Sequence, residues 1–136
     1  MPTTTQLLIR EESKPGTLAR VASVLGESGV NIKAFLAPEV AGHGYLRVIV
    51  NDLEKARATL KAKKIKFKEE TALVLSLENR PGALSDVAEH LREARINIKC
   101  AYLTPSREGR RAIVVLTVSN LKKALATLQD RSLDEI

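Results

Sequence analysis

Apolar residues occur along the chain with two different spacings, and each spacing predicts one kind of element. Short runs rich in Leu, Ile and Val predict strands, and apolar residues at i, i+3, i+4 and i+7 predict helices with one inward face. The predicted strands cover residues 6–12, 31–37, 45–50, 65–69, 72–78, 97–103 and 112–118. Two helices are predicted to begin at Pro15 and Pro81, because proline suits the first helical position, and two more cover residues 52–63 and 120–130. The inward positions of the first and third helices are Leu18, Val21, Ala22, Leu25, Leu84, Val87, Ala88 and Leu91.

The chain contains an internal repeat. Residues 14–36 (KPGTLARVASVLGESGVNIKAFL) align with residues 80–102 (RPGALSDVAEHLREARINIKCAY), and ten of the 23 aligned positions are identical. Two copies are too few for a solenoid, so the repeat predicts a pair of domains, residues 1–70 and residues 71–136. Gly29 is predicted to end the first helix as a C-cap glycine, and Arg95 stands at that place in the second copy.

The order of elements in each copy is strand, helix, strand, strand, helix, strand. This order predicts an α+β fold made of two ferredoxin-like βαββαβ units, each an antiparallel sheet with both helices on one face. The second copy has only QDRSLDEI after Leu128, so its last strand is predicted to be short or missing, or to come from another chain. Because open sheet edges invite pairing, the two units are expected to pack side by side by strand pairing, or else face to face. A second chain could fill the edge left by the missing strand, so a homodimer is expected.

Composition limits the possible classes of function. The 136 residues include 22 Lys+Arg against 16 Asp+Glu, a net charge of +6, with two Tyr, two Phe and no Trp. A basic run, KAKKIKFK (61–68), raises the possibility of nucleic-acid binding, but the central predicted strands carry no aromatic residue on which bases would stack, so that partner is disfavoured. No apolar run is long enough to span a membrane and no signal peptide is recognisable, so a cytoplasmic protein is expected.

Few residues offer catalytic chemistry. His43 lies in a glycine-flanked turn, His90 lies on a helix beside the apolar stripe, and Cys100 lies on a strand, where a free cysteine usually packs as a small hydrophobe. These residues form no spaced metal-ligand set, and no phosphate-binding glycine loop occurs. The sequence therefore predicts a protein that is not an enzyme and has no metal or cofactor.

The two strand-to-helix turns are the candidate binding sites. They are Ser13-Lys14-Pro15-Gly16 and Asn79-Arg80-Pro81-Gly82. Free N–H groups of a helix N-terminus favour a carboxylate, and glycine lets a ligand approach the backbone closely. Two alternatives stay open at this point: Pro-Gly only starts a helix, or Ser13 and Asn79 cap the first turn. Asn31 and Asn97, each at the start of a strand, are either turn residues bonded to their own backbone or amides that hold a zwitterion.

The sequences SKPGTLARVASVLGESGVNIK and NRPGALSDVAEHLREARINIK resemble the ACT domain, a small regulatory amino-acid-binding module. The resemblance covers about residues 6–130 and implies an effector amino acid bound between paired domains. It assigns ligand binding to Asn79 and, at the strand start, to Asn97 and Asn31. Leu77 stands where the serine-binding members carry histidine, so serine is not implied as the ligand.

By this resemblance, the better site combines the turn Asn79, Arg80, Pro81, Gly82 with Asn31, and Phe35 and Leu36 line its side-chain pocket. The second site combines Ser13, Pro15 and Gly16 with Asn97. The expected partners are a small amino acid and an unidentified enzyme or regulator. Three rival functions remain open: an assembly module without a ligand, a nucleic-acid-binding protein and a small enzyme.

Overall fold

The computed structural model describes residues 3–105 and 109–128, and it divides into two compact units. The N-terminal unit comprises Thr5–Glu70, and the C-terminal unit comprises the chain from Thr71 onward together with the residues before Thr5. The elements in chain order are β1 (Thr3–Glu12), α1 (Thr17–Glu27), β2 (Ile32–Leu36), β3 (Glu39–Val40), β4 (His43–Val50), α2 (Leu53–Ala62), β5 (Lys68–Glu78), α3 (Ala83–Glu93), β6 (Ile98–Pro105), β7 (Arg111–Val118) and α4 (Leu121–Thr127).

In the N-terminal unit, β4 pairs antiparallel with β1, β2 and the short β3. Alternate residues of a strand point to opposite faces, and one face of this sheet carries the core. The buried core residues come from both helices and from β1, β4 and the loops: Leu7, Ile9, Val21, Leu25, Val30, Leu46, Val48, Ala56, Leu60 and Ile65. Both helices therefore cover the same face of the sheet.

The C-terminal unit repeats this arrangement. Strand β7 pairs antiparallel with β5 and β6. Most core residues lie at the equivalent positions of the repeat, and Leu77 and Ala83 join them where the first copy has Glu11 and Thr17. The core residues are Leu73, Leu75, Leu77, Ala83, Val87, Leu91, Ile96, Val114, Leu116, Ala124 and Leu128. The predicted α+β class, with antiparallel strands and two helices on one face of each repeat, is confirmed.

The ends of the helices follow local sequence rules. Asp52 and Asn120 cap α2 and α4, because each side chain accepts a hydrogen bond from the backbone N–H three residues later, at 3.0 Å. At the end of α1, Gly29 has a φ of +78°, as expected of a C-cap glycine. Arg95 takes the same left-handed conformation after α3, with a φ of +58°.

Two predictions about the elements are wrong. Residues 65–69 do not form a separate strand: β5 runs without interruption from Lys68 to Glu78, since the sequence KEETALVLSLE contains no glycine, proline or asparagine to break it. Ile65 instead donates its N–H to Leu60 O at the end of α2 and is buried in the core. Leu18 and Leu84 are not inward residues, because they are 44% and 51% exposed.

Two further points concern less regular parts of the chain. The short strand β3 was not predicted, since two residues carry no periodic pattern. The prediction that the last strand of the second copy is short or missing concerns residues 129–136, which lie outside the described residues.

Candidate functional site

Each Pro-Gly sequence forms a type II β-turn directly before a helix. Thr17 N–H donates to Lys14 O at 3.2 Å, and Ala83 N–H donates to Arg80 O at 3.3 Å. The third residue of such a turn needs a positive φ, which glycine adopts without a steric penalty. Gly16 has φ and ψ of +91° and −8°, and Gly82 has +86° and −13°.

This geometry corrects the prediction that Pro15 and Pro81 occupy the first helical position. The helices begin at Thr17 and Ala83, and the glycines are their N-cap residues. A left-handed glycine directly after the proline cannot continue a right-handed helix, so each proline stays in the turn.

The N-termini of α1 and α3 have no side-chain cap. Glycine has no side chain to accept a hydrogen bond, in contrast to Asp52 and Asn120 at the other two helices. In α3, Ala83 N–H donates the hydrogen bond to Arg80 O that closes the turn, and Asp86 N–H donates to Gly82 O at 3.0 Å. Within the described residues, the N–H groups of Leu84 and Ser85 have no partner, and they point along the helix axis toward the turn.

Asn79 does not cap this helix. Its side-chain Nδ2 donates to Gly109 O at 2.9 Å, and its backbone N–H donates to Arg110 O at 2.9 Å. Both bonds join the turn to the loop before β7. They fix the orientation of the amide and leave its oxygen, Oδ1, without a partner in the described part of the chain.

The guanidinium of Arg80 lies over the second turn. Nε donates to Glu78 Oε2 at 2.7 Å, Nη2 donates to Asp86 Oδ2 at 3.2 Å, and Nη1 donates to Pro81 O at 3.1 Å. The hydrogen bonds to Glu78 and Asp86 raise the pKa of Arg80 above its usual value. These exposed charges hold the arginine across the turn, although exposed ion pairs contribute little to stability.

The first turn has the same backbone but different side chains. Ser13 N–H donates to Gly42 O at 2.9 Å, which is the equivalent of the bond from Asn79 to Arg110. Lys14 stands in place of Arg80, and Arg20 stands in place of Asp86. Arg20 pairs instead with Glu11, at 3.6 Å. The fixed amide and the bound guanidinium are therefore features of the second turn.

Asn31 and Asn97 are held by their backbones. Asn31 N–H donates to Asn51 Oδ1 at 2.9 Å, and Asn51 N–H returns a bond to Asn31 O at 3.1 Å. Asn97 and Ser119 exchange the same pair of bonds, both at 2.9 Å. Both asparagine side chains are exposed, and neither has a hydrogen bond in residues 3–105 and 109–128. The alternative in which each amide bonds its own backbone is therefore wrong.

Phe35 and Leu36 lie on β2 of the N-terminal unit. Phe35 is 54% exposed, whereas Leu36 is half-buried. One exposed aromatic side chain is ordinary on a protein surface, so its exposure alone does not indicate a binding site.

The described residues offer little for other chemistry. They include no group of three His, Cys, Asp or Glu side chains placed to hold a metal ion, and none of their helices is long and apolar enough to cross a membrane. Cys100 is half-buried, and His90 Nδ1 lies 2.6 Å from Asp86 O on its own helix.

Comparison with known proteins identifies the family. The model of the ACT domain pair matches residues 2–136. The chain belongs to the ACT domain pair family. A protein of known structure from Bacteroides thetaiotaomicron is 32% identical, with 95% of this chain and 88% of that chain covered and a TM-score of 0.88. No protein with a curated description matches the sequence.

More distant structures share the ACT fold. The regulatory subunit of aspartate kinase from Thermus thermophilus, in its ligand-free form, is 16% identical, covers 95% of this chain and 92% of its own, and has a TM-score of 0.64. The structure of the aspartokinase α and β subunits is 13% identical, with 94% of this chain and 90% of that chain covered and a TM-score of 0.64. At these identities the likeness concerns the fold alone.

Within one ACT unit, the turn and the strand-start asparagine lie at opposite ends of a helix. Helices α1 and α3 have 11 residues each, which corresponds to a length of about 16 Å. A small amino acid cannot reach from Gly82 to Asn97 across that length, nor from Gly16 to Asn31. The predicted combination of a turn from one unit with an asparagine from another is not tested and stays a prediction.

The sequence patterns missed two side chains beside the turns. Leu18 and Leu84 lie in the first helical turn, one residue after each helix begins, and both are exposed. Their helical spacing predicted burial, but the buried residues with that spacing are Val21 and Leu25 in α1 and Val87 and Leu91 in α3. A position two residues after Pro-Gly, in the first helical turn, was the available sign that these leucines are not core residues.

Proposed function

We propose that this ACT domain pair is a non-enzymatic regulatory protein that binds a free amino acid at the Pro-Gly turn of its C-terminal unit. One observation carries the proposal: the uncapped N-terminus of α3 lies beside an amide that is held in place, that of Asn79. A helix N-terminus attracts a carboxylate, and a fixed amide oxygen accepts a hydrogen bond from an ammonium group.

Each end of the ligand has a partner in this arrangement. The carboxylate accepts hydrogen bonds from the free N–H groups of Leu84 and Ser85. Oδ1 of Asn79 accepts from the ammonium, because the Nδ2 atom is already bonded to Gly109 O. Asn31 is the predicted second amide, and Phe35 and Leu36 are the predicted contacts of the ligand side chain. All three belong to the other ACT unit, and their part in the site is a hypothesis.

Arg80 is not the cation that binds the ligand carboxylate in this proposal. Its guanidinium is bonded to Glu78 and Asp86, so the net charge of this group of three is negative and it does not act as a free cation for the carboxylate. Its bond to Pro81 O helps to hold the guanidinium over the turn.

The family likeness supports the regulatory part of the proposal. Two of the similar structures belong to aspartate kinases, and one of them is a regulatory subunit. By analogy, the protein would change the activity of a partner enzyme or regulator when the amino acid binds. A homodimer and a cytoplasmic location are parts of the same hypothesis.

A thermal-shift screen with each of the twenty amino acids tests the proposal. A ligand present at one hundred times its Kd stabilises the folded state by about 2.7 kcal/mol. For a chain of this size this raises Tm by roughly 10 °C. A screen in which no amino acid raises Tm at millimolar concentration contradicts the proposal and favours a module that only assembles.

Two matched variants locate the site. Asn79→Ala removes the fixed amide of the second turn, and Ser13→Ala changes the equivalent position of the first turn. We expect Asn79→Ala to weaken binding about tenfold, as for the loss of a hydrogen bond to a charged group, and Ser13→Ala to have little effect. Equal losses in the two variants would show that the second turn is not the preferred site.

A further inference from the structure

A second candidate site is an open groove of about 830 Å³ in the N-terminal unit. It is far larger than a free amino acid needs, and all its residues belong to Thr5–Glu70. We name it the basic groove, and it is lined by Leu8, Arg10, Lys61, Lys64, Ile65, Lys66, Phe67, Lys68 and Glu69.

The charge of the basic groove is strongly positive. Five of its nine residues are cations and one is an acid. That acid, Glu69, is neutralised by an arginine outside the groove, since Arg57 Nε donates to Glu69 Oε1 at 3.0 Å. In the described part of the chain, the four lysines have no carboxylate partner. Arg10 is placed over the ring of Tyr45, 5.6 Å from its centre.

Ordinary structural roles account for only part of this charge. Lys61 lies in the last turn of α2 and Lys64 follows its end, where a cation stabilises the helix dipole. Lys66 lies between α2 and β5, so it protects no strand edge. Arg10 comes from β1, more than fifty residues earlier in the chain, so only folding brings it beside the lysines of the groove.

The rest of the lining is apolar. Leu8 and Phe67 are half-buried, and Ile65 is buried. Leu8 and Arg10 alternate along β1 with the core residues Leu7 and Ile9, so their side chains point to the face opposite that core. The groove therefore combines a cationic surface with two half-buried apolar side chains, Leu8 and Phe67, and Phe67 also packs against the core of the N-terminal unit.

We propose that the basic groove binds a small phosphate-bearing organic anion with a flat apolar group, which is the chemistry of a nucleotide. Four lysines and an arginine match the several negative charges of a di- or triphosphate. Phe67 and Leu8 offer the surface on which the base packs. A groove of this volume falls in the range of small-molecule sites, and a single aromatic residue offers no repeated stacking positions for a nucleic-acid strand.

Isothermal titration calorimetry at about 150 mM salt, where exposed charges are screened, tests the proposal with three probes. ATP should bind, inorganic tripolyphosphate should bind at least fivefold more weakly, and adenosine should not bind detectably. Equal binding of ATP and tripolyphosphate would overturn the organic part of the proposal. The whole proposal would be overturned if ATP does not bind at millimolar concentration. It would also be overturned if a ten-nucleotide oligonucleotide binds much more tightly than ATP.

Variants separate the basic groove from a general effect of charge. Lys66→Ala should weaken ATP binding about fivefold, the upper range for an exposed charge contact. Lys122→Ala removes the same charge from the exposed surface of α4 and should leave binding unchanged. Phe67→Leu should weaken ATP binding but not tripolyphosphate binding. Equal effects of Lys66→Ala and Lys122→Ala would show that only net charge matters and would overturn the proposal.

Discussion

The same substitution, Gly→Ala, should have opposite effects on stability at two positions of this chain. Gly82 has a φ of +86°, whereas Gly26 lies within helix α1, with no positive φ. A new Cβ at Gly82 would lie 3.6 Å from Arg80 Nη1, which is an ordinary contact, and a new Cβ at Gly26 would meet nothing within 4 Å. Because neither substitution causes a clash, the backbone conformation decides the outcome.

The expected magnitudes follow from that conformation. Holding alanine in the left-handed region costs about 1–2 kcal/mol, and the lower entropy of its unfolded chain offsets part of this. Gly82→Ala should therefore lower the free energy of unfolding by about 1 kcal/mol. Gly26→Ala should raise it by about 0.5–1 kcal/mol, since alanine is the better helix former.

Urea denaturation followed by circular dichroism measures both variants against the parent protein. The expected gap between them is about 1.5–2 kcal/mol, or roughly 6 °C in Tm. Gly82→Ala should also weaken the binding of any amino acid found in the thermal screen, while Gly26→Ala should not. If Gly82→Ala proves as stable as the parent protein, the type II turn does not constrain this residue and the account of the Pro-Gly sequence is wrong.

Three further predictions concern stability and are checked by the same denaturation measurements. Arg95→Gly should stabilise the protein by about 0.5–1 kcal/mol by relieving the left-handed conformation, whereas Arg95→Ala, which keeps that conformation, should bring no gain; equal effects would contradict the explanation. Asn120→Ala should destabilise the protein by about 1 kcal/mol because it removes the cap of α4, whereas Asn120→Asp, which keeps a cap, should retain most of the parent protein's stability. Leu91→Ala should destabilise by about 2–5 kcal/mol because Leu91 is fully buried, and a loss below 1 kcal/mol would show that the core around α3 is not packed as described.

The regular elements could be predicted because their signals are local. The spacing of Val21 and Leu25, and of Val87 and Leu91, identified the inward faces of α1 and α3, and all four residues are buried. The alternative conformations of Pro-Gly could not be separated in this way. The same two residues suit a helix start or a type II turn, and the positive φ of Gly82 and the hydrogen bond from Ala83 N–H to Arg80 O distinguish them.

The parts of the candidate sites that the sequence did not reveal depend on contacts between distant residues. The amide of Asn79 is oriented by Gly109, thirty positions away, so no local pattern predicts which of its atoms stays free. The basic run 61–68 was visible in the sequence, where it raised only the possibility of nucleic-acid binding. Only the folded chain brings this run into one groove with Leu8 and Arg10 of β1.

The repeat also shows which features of the turns can serve as evidence for a ligand. Both copies have the same type II turn, the same uncapped helix and the same bond to the following hairpin loop, so duplication alone accounts for this backbone. The copies differ in their side chains. In the second turn the side chains of Asn79 and Arg80 form hydrogen bonds, and in the first turn Ser13 and Lys14 stand at these positions. Detection of binding would therefore leave its location open. The difference in affinity between Asn79→Ala and Ser13→Ala is the measurement that distinguishes an adapted site from a duplicated backbone.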